Sequence, residues 1–219
     1  MEDIITLDGP TSSGKNSVGF LLAQKLGYQY IDTGMIYRAG CLKMLKQNVS
    51  TDDLDKIFNI YGNLDVRFET NNSWKMFLDG EDVTHLLHTP EISKLVPIVS
   101  AIPKVREIMR RVQRNLGENG KIVMGGRDIG SEIYPDAKHK FFLTASPEVR
   151  AQRRFKQLSQ VTDIKYEDVL KDMLGRDKQD SEREASPMRV PKDAYLIDNT
   201  NLTVEQTVDR ILKHIYAPA

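Results

Sequence analysis

Residues 4–22 read IITLDGPTSSGKNSVGFLL, in which a short apolar strand leads through a glycine-rich loop into a helix with one apolar face. Gly9 to Lys15 match the pattern G-x-x-x-x-G-K, placed between a strand and a helix as a phosphate-binding loop requires. Glycines let backbone N–H groups surround phosphate oxygens, the helix N-terminus adds a positive dipole, and Lys15 supplies a full charge. The segment therefore predicts a P-loop that binds a nucleotide.

Short apolar runs alternate with helical patterns along the rest of the chain. The apolar runs lie at residues 28–31, 122–124, 141–144 and 195–197, and the helical patterns lie around residues 104–117, 147–159, 165–175 and 203–215. Strands that alternate with helices in this way predict an α/β fold with a largely parallel sheet.

The stretch from about residue 48 to 90 interrupts that alternation. Residues 66–69 and 74–78 flank Asn71-Asn72-Ser73, which predicts a β-hairpin. We interpret the stretch as an inserted lobe. A basic segment at residues 150–156 begins a second exposed unit, in which a polar connection at 159–163 joins two helical patterns.

Charge and composition exclude several classes of protein. Thirty-one basic residues balance thirty-one acidic ones, so no net field favours a nucleic acid polymer or an anionic membrane. The N-terminal residues lack the pattern of a signal peptide and no segment has the length of a membrane span, so we expect a cytoplasmic protein. Cys41 is the single cysteine, and no Cys/His cluster has the spacing of zinc ligands.

Five short motifs strengthen the nucleotide-binding prediction. They read DGP at 8–10, DTGMIYR at 32–38, GRDIG at 126–130, RDKQDSER at 176–183 and SP at 186–187. In order and spacing they resemble the bacterial cytidylate kinases, over nearly the whole chain. The resemblance implies a P-loop NTPase-type α/β fold, with a parallel sheet flanked by helices, an inserted NMP-binding lobe and a short helical lid.

The same resemblance implies a division of the chain and an activity. We expect one kinase domain over residues 1–219, with its core at about 1–40, 91–149 and 177–219, a CMP-binding insert at about 41–90 and a lid at about 150–176. We expect the γ-phosphate of ATP to be transferred in line to CMP or dCMP, with Mg²⁺ as cofactor, by a monomer.

The resemblance also assigns roles to individual residues. ATP is expected on the loop residues Gly9, Pro10, Thr11, Ser12, Ser13, Gly14, Lys15, Asn16 and Ser17. CMP is expected on Thr33, Tyr37, Arg38, Arg106, Arg127, Asp128, Arg176, Asp180 and Arg183. Catalytic charge is expected from Lys15, Arg127, Arg150, Arg153, Arg154 and Arg176, and water-mediated metal contacts from Ser17 and Asp8. The arginines at 106, 150, 153 and 154 have an alternative interpretation as charged residues on solvated helix faces, and Arg106 is assigned to the site only by its position in the family pattern.

Three positions depart from the family pattern. Asn16 stands where these kinases carry glycine, Gly125 stands where they carry an acidic residue near the metal, and Pro97 stands where several carry serine near the base. The missing carboxylate predicts that Gly125→Asp raises turnover or lowers the Mg²⁺ requirement. Two alternatives therefore stay open: a kinase for another pyrimidine monophosphate such as UMP, and a weakened or catalytically silent nucleotide-binding relative.

Overall fold

Eight strands and eight α-helices, with one short π-helix, are present in residues 3–71, 73–160 and 162–217, which the computed structural model describes. In chain order they are β1 (Ile4–Asp8), α1 (Lys15–Leu26), β2 (Gln29–Asp32), α2 (Thr33–Lys46), α3 (Leu54–Gly62), β3 (Val66–Glu69), β4 (Lys75–Leu78), β5 (Glu81–Asp82), α4 (Pro90–Ser100), α5 (Pro103–Leu116), β6 (Ile122–Gly126), the π-helix (Ile129–Ile133), β7 (His139–Thr144), α6 (Pro147–Leu158), α7 (Tyr166–Glu182), β8 (Tyr195–Asp198) and α8 (Val204–Ile215).

Five of the strands form a parallel sheet in the order β2-β6-β1-β7-β8. Every residue of β1 and of β6 is buried. Strands that are buried along their whole length occur where helices cover both faces of a parallel sheet. The predicted α/β fold is confirmed, and the carboxyl ends of β1, β2 and β6 meet at one edge.

Two hydrophobic layers hold the helices to this sheet. On one face, Leu7 of β1 packs with Leu22 of α1 and Ile211 of α8. On the other face, Ile31 of β2 packs with residues of α2, α3 and α5, among them Ile108. Burial of such side chains contributes about 1.5–3 kcal/mol each. The sheet edge that carries the P-loop is thus supported from both sides.

The helix ends follow from local chemistry. Asp32 caps α2 by accepting a hydrogen bond from Gly34 N at 2.9 Å. Thr203 and Gln206 form a reciprocal capping box at the start of α8. Within the described ranges, no helix combines the length and the apolar character that crossing a bilayer demands.

The predicted hairpin is confirmed as β3 and β4, which pair antiparallel and are joined by β5 into a small sheet. Asn72, in the predicted turn, lies outside the described residues. Gln29 Nε2 donates to Phe68 O at 2.6 Å and Trp74 Nε1 donates to Tyr30 O at 3.2 Å. The small sheet is therefore attached to the edge strand β2 and shares one hydrophobic core with α2 and α5.

Two of the expected domain boundaries fall inside continuous helices. The limit at residue 40 lies in the middle of α2, whose buried residues continue through Cys41 and Met44. The limit at residue 176 lies inside α7, which runs on to Glu182, beyond the helix predicted around 165–175. No proline interrupts α7 before Pro187, so the helix continues to the motif arginines. The division into core, insert and lid otherwise stays a prediction.

Candidate active site

A cleft of about 1190 Å³ opens at the carboxyl ends of β1, β2 and β6. The P-loop from Thr11 onward forms its floor, α4 and α5 line one side, and α6 and α7 line the other. Most of the predicted site residues lie along this cleft. Asp8, Gly9, Pro10 and Arg150 do not line it, and each has a structural task described below.

The P-loop adopts a shape that depends on its glycines. A Cβ on Gly9 would lie 2.1 Å from Leu143 O, and Gly14 has a φ of 92° at the start of α1. Lys15 Nζ donates to Gly9 O and Pro10 O, both at 2.7 Å, and burial followed by the charge of Arg127 lowers its pKa well below the usual value. Phosphate oxygens of a bound nucleotide would replace these neutral carbonyl partners favourably, because they carry the negative charge that the ammonium lacks here.

Asp177 and Arg150 tie the loop to the helices on the lid side. Asp177 Oδ1 accepts a hydrogen bond from Thr11 N at 2.9 Å, and its other oxygen forms an ion pair with Arg150. Arg150 Nη1 also donates to Thr11 O at 2.9 Å. The prediction that Arg150 reaches the transferring phosphate has no support in this geometry, because the guanidinium is buried and bonded to the back of the loop.

Asn199 forms a second link between loop and lid. Its Nδ2 donates to Ser13 O at 2.8 Å, and Arg153 donates to its Oδ1 and its backbone oxygen, both at 2.9 Å. Neither Asn199 nor Asp177 was identified from the sequence as a site residue. Asp177 lies inside the quoted motif at 176–183, whereas nothing local in the sequence marks Asn199.

Several cations converge between the loop and the acceptor side of the cleft. They are Lys15, Arg38, Arg127, Arg154 and Arg176, all of which line it. Burial, and then the neighbouring Arg127, lower the pKa of Arg176 to about 10. Burial likewise lowers the pKa of Arg38 and of Arg154. Cations gathered at this density form a site for anions, because bound phosphate relieves both their repulsion and their desolvation.

Arg38 is held in this cluster by the insert and α4. Its Nη1 donates to Leu87 O at 2.9 Å and to Ser93 Oγ at 3.2 Å. Thr33 also lines the cleft, but its hydroxyl donates to Gly125 O at 2.9 Å, so its side chain supports the strand end.

Beyond the cations, Asp128 lies between two arginines. It forms a buried ion pair with Arg106, and its Oδ1 lies 3.6 Å from Arg183 Nη2. Within the described part of the chain, Arg106 Nε and Arg183 Nη2 are buried without a hydrogen-bond partner. Buried donors of this kind normally have partners, so a ligand with acceptor atoms fits here. The Arg106 guanidinium lies over the Tyr37 ring, and burial raises the pKa of the Tyr37 hydroxyl to about 12.

Asp180 connects this end of the cleft to the phosphate end. It accepts hydrogen bonds from Arg127 Nε at 2.8 Å and from Arg183 Nη1 at 3.2 Å. Burial opposes its ionisation, yet the charges of Arg127, Arg176 and Arg183 hold its pKa below the usual value. An ionised carboxylate with free lone pairs is thus available between the two ends.

Asp8 is not placed to contact a metal. Its two oxygens accept hydrogen bonds from Ile129 N at 2.8 Å and Gly130 N at 2.7 Å, and the residue is 1% exposed. The prediction of a water-mediated metal contact at Asp8 therefore has no support in this geometry. The carboxylate instead anchors the first turn of the π-helix that follows Arg127 and Asp128, and burial raises its pKa to about 6.

The residues near Asn16 and Gly125 also differ from the expectation. A Cβ on Gly125 would lie 2.6 Å from Tyr30 Oη, so an aspartate does not fit there unless Tyr30 moves. The expected gain from Gly125→Asp therefore has no support in this geometry. Asn16 Nδ2 donates to Asp32 Oδ2 at 2.6 Å, so the amide is already engaged with a carboxylate.

The face of α4 that carries Pro97 also carries polar groups on the acceptor side of the cleft. Ser93 and Ser100 lie one turn before and one turn after it, and all three line the cleft. Ser100 O accepts a hydrogen bond from Arg106 Nη1 at 3.2 Å. Compared with a serine at residue 97, the proline removes one hydroxyl, but the hydroxyls of Ser93 and Ser100 remain on the same face.

The chemistry of Asp32 and Ser17 fits Mg²⁺. Among the described residues, no group of three or more His, Cys, Asp or Glu side chains converges into a dedicated metal cage. Mg²⁺ retains several waters and is held by one or two oxygen side chains together with substrate phosphates. The Asp32 carboxylate and the Ser17 hydroxyl line the cleft beside Lys15, which is the donor set that such a metal needs.

Comparison with known proteins agrees with this geometry. The family model described as cytidylate kinase matches residues 5–217. A cytidylate kinase from Caldanaerobacter subterraneus is 46% identical over 212 residues, covering 96% of this chain and 93% of the relative. The cytidylate kinase from Bacillus subtilis is 41% identical over 213 residues, covering 96% of this chain and 95% of the relative.

Similarity of fold extends to more distant proteins. The crystal structure of an uncharacterized protein from Eubacterium ventriosum aligns with a TM-score of 0.56 at 13% identity, over 100% of both chains. At that identity the match supports the fold alone. The family match over nearly the whole sequence carries the stronger conclusion: this chain belongs to the cytidylate kinase family.

Proposed function

We propose that this chain transfers the γ-phosphate of ATP to CMP or dCMP. One observation carries the proposal: a single cleft joins a P-loop, a cluster of cations, and the Asp128 carboxylate paired with Arg106. A P-loop alone supports many activities. The cations add a site for a second phosphate, and the carboxylate beside unpartnered arginine nitrogens adds a site for a base that both donates and accepts hydrogen bonds.

Phosphoryl transfer at the cation cluster needs positioning and charge. Lys15 and the loop amides hold the ATP phosphates, and Arg38 and Arg127 hold the acceptor phosphate. An oxygen of the acceptor phosphate attacks the γ-phosphorus while the bond to the β,γ-bridging oxygen breaks, and ADP departs with that electron pair. Arg154 and Arg176 neutralise charge on the transferred group. The attacking oxygen is already anionic, so no general base is required.

Arg150 and Arg153 support this reaction by holding other parts of the site in place. Arg150 holds Thr11 from behind, and Arg153 is fixed by Asn199 at the donor side of the cleft. The proposal includes Mg²⁺ beside Ser17 and Asp32, where the bound metal supplies positive charge to the donor phosphates.

Base recognition is assigned to Asp128, Arg106 and Arg183. Cytosine presents an exocyclic amine to a carboxylate and presents a ring nitrogen and a carbonyl to guanidinium donors. Uracil presents a carbonyl where cytosine has the amine, which leaves a buried carboxylate facing an acceptor. Asp180 and Arg176 are assigned to the sugar, where a carboxylate accepts from hydroxyls of ribose or deoxyribose.

The proposal also includes closure of the insert and the lid, and the oligomeric state of the enzyme. The insert at about 41–90 and the lid at about 150–176 close over the nucleotides and exclude water, which otherwise accepts the phosphoryl group. The enzyme acts as a cytoplasmic monomer in pyrimidine nucleotide metabolism.

A coupled turnover assay tests the proposal with CMP, dCMP, UMP, AMP and no acceptor. We expect CMP and dCMP to be phosphorylated far faster than UMP or AMP, and ATP hydrolysis without an acceptor to be slower still. Lys15→Ala is the matched inactive variant, and we expect it to lose all but a small fraction of the activity while keeping the wild-type Tm. Equal rates with all four acceptors, or turnover by Lys15→Ala at wild-type rate, contradict the assignment.

A pair of variants tests the base assignment. Asp128→Asn should reduce kcat/KM for CMP more than for UMP, shifting their ratio by about tenfold or more, because a site that pairs with a substrate group discriminates by that pairing. Asp180→Asn is the control, because Asp180 is assigned to the sugar that both nucleotides share, and its CMP to UMP ratio should change much less than that of Asp128→Asn. An equal loss on both substrates in Asp128→Asn would show that Asp128 only supports the arginines.

A further inference from the structure

Asn16, Tyr30 and Asp32 form a continuous chain of hydrogen bonds beside the P-loop. Tyr30 Oη donates to Asn16 Oδ1 at 3.2 Å, and Asn16 Nδ2 donates to Asp32 Oδ2 at 2.6 Å. The two bonds require opposite ends of the same amide, so the tyrosine hydroxyl fixes which end of Asn16 faces Asp32. Asn16 stands directly after Lys15 and lines the cleft.

The Tyr30 ring is wedged between two glycines. A Cβ on Gly19 of α1 would lie 2.3 Å from Tyr30 Cε2, and a Cβ on Gly125 of β6 would lie 2.6 Å from Tyr30 Oη. Both distances are below any van der Waals contact, so the slot for this ring exists only because neither neighbour carries a side chain. Gly125 therefore makes room for the hydroxyl that orients Asn16.

Asp32 lies directly beside Gly125 in the sheet. β2 and β6 are parallel neighbours, and Asp32 is the register partner of Gly125 at their carboxyl ends. Asp32 Oδ1 accepts from Gly34 N at 2.9 Å while Oδ2 accepts from Asn16, so both oxygens are fixed and each keeps a lone pair for a further donor. A carboxylate thus lies one strand away from the position where the family carries its acidic residue.

We propose that Asn16 and Tyr30 are positioning residues that hold Asp32 toward a metal-bound water beside the nucleotide phosphates, so that these three residues replace the acidic side chain that residue 125 lacks. This inference rests on the proposed kinase function. The sequence differences at residues 16 and 125 are then one coupled change, joined through Tyr30, and not two separate losses from the metal site.

Metal affinity, measured apart from turnover, tests the inference. Mn²⁺ is titrated by electron paramagnetic resonance into the protein saturated with a non-hydrolysable ATP analogue, and the affinity for the analogue without metal is measured separately. Asn16→Ala and Tyr30→Phe should each weaken Mn²⁺ binding by about tenfold, the scale on which partners of metal-site residues act. In Tyr30→Phe the affinity for the metal-free analogue should match that of the wild type, because Tyr30 does not line the cleft and its hydroxyl lies behind Asn16.

Tyr61→Phe is the matched control. Tyr61 is also fully buried, and its hydroxyl donates to Tyr37 O at 2.8 Å, but it does not line the cleft. Tyr61→Phe removes a buried tyrosine hydroxyl that donates to Tyr37 O and also lies 3.4 Å from Cys41 Sγ, so its structural cost is at least that of Tyr30→Phe. Its Mn²⁺ affinity should equal that of the wild type. An equal loss of Mn²⁺ affinity in both variants would show a general effect of stability and overturn the inference.

Gly125→Ala adds a test of the coupling. The new methyl group displaces the Tyr30 hydroxyl, so Gly125→Ala should lose as much Mn²⁺ affinity as Tyr30→Phe. The double variant that combines Gly125→Ala with Tyr30→Phe should lose no more affinity than either single variant. Additive losses overturn the inference, as does unchanged Mn²⁺ affinity in Tyr30→Phe. If the wild type fails to bind the analogue at all, the proposed kinase function falls and this inference with it. Unchanged metal affinity in a protein that binds the analogue refutes the inference alone.

Discussion

Asp8→Asn tests the consequence of keeping a buried carboxylate beneath the active site. Burial raises the pKa of Asp8 from 3.8 to about 6, although the hydrogen bonds from Gly130 N and Ile129 N act in the opposite direction. The folded protein therefore binds this proton more tightly than the unfolded chain does. The contribution of Asp8 to stability is fully present below about pH 3.8 and is lost as the pH rises through about 6.

The size of this effect follows from the two pKa values. Relative to a group that does not titrate, Asp8 lowers the free energy of unfolding by less than about 1 kcal/mol near pH 4 and by about 3 kcal/mol near pH 7.5. Asparagine at residue 8 keeps one acceptor oxygen for the π-helix and carries no charge. The stability of Asp8→Asn relative to the wild type should therefore increase by about 2 kcal/mol between those two pH values.

Urea unfolding of both proteins at several pH values measures this difference. Asp55→Asn, at an exposed position of α3, controls for the removal of one negative charge. A stability difference between Asp8→Asn and the wild type that is the same at every pH would refute the reasoning. In Asp8→Asn the NH₂ group faces a backbone N–H, which weakens the anchor of the turn that follows Arg127 and Asp128. We therefore also expect a higher KM for CMP at neutral pH.

Two further predictions concern the packing beneath the insert. Gly40→Ala places a Cβ 2.2 Å from Tyr61 Cζ and should destabilise the fold by about 1–3 kcal/mol in urea unfolding, whereas Gly62→Ala, which meets open space, should be neutral or stabilising. Equal stability of the two variants would contradict the packing described. Burial raises the pKa of the Cys41 thiol to about 11, so a disulfide reagent should label it only on unfolding, and rapid labelling of the native protein would show that α2 opens.

Features set by neighbouring residues in the chain could be predicted from the sequence. The P-loop, the parallel strands and the β3–β4 hairpin all depend on local patterns, and each is confirmed. Asp177 and Asn199 bind the loop across separations of 166 and 186 residues, and no local pattern reports such contacts. Asp8 shows a different limit: its residue type suited a metal contact, but the direction of its side chain depends on where the chain after β6 passes.

Asn16 and Gly125 show why a departure from a motif is misjudged when positions are compared one at a time. Along the chain, each residue lacks a group expected near Mg²⁺, and the two absences appear to add. In the folded protein both surround Tyr30: Gly125 leaves space for the hydroxyl, and Asn16 accepts its hydrogen bond. The carboxylate at that sheet edge comes from Asp32, on the neighbouring strand. The sequence contains all four residues, but their adjacency depends on the pairing of β2 with β6 and the packing of α1 on Tyr30, so a variant at one position changes the surroundings of the other three.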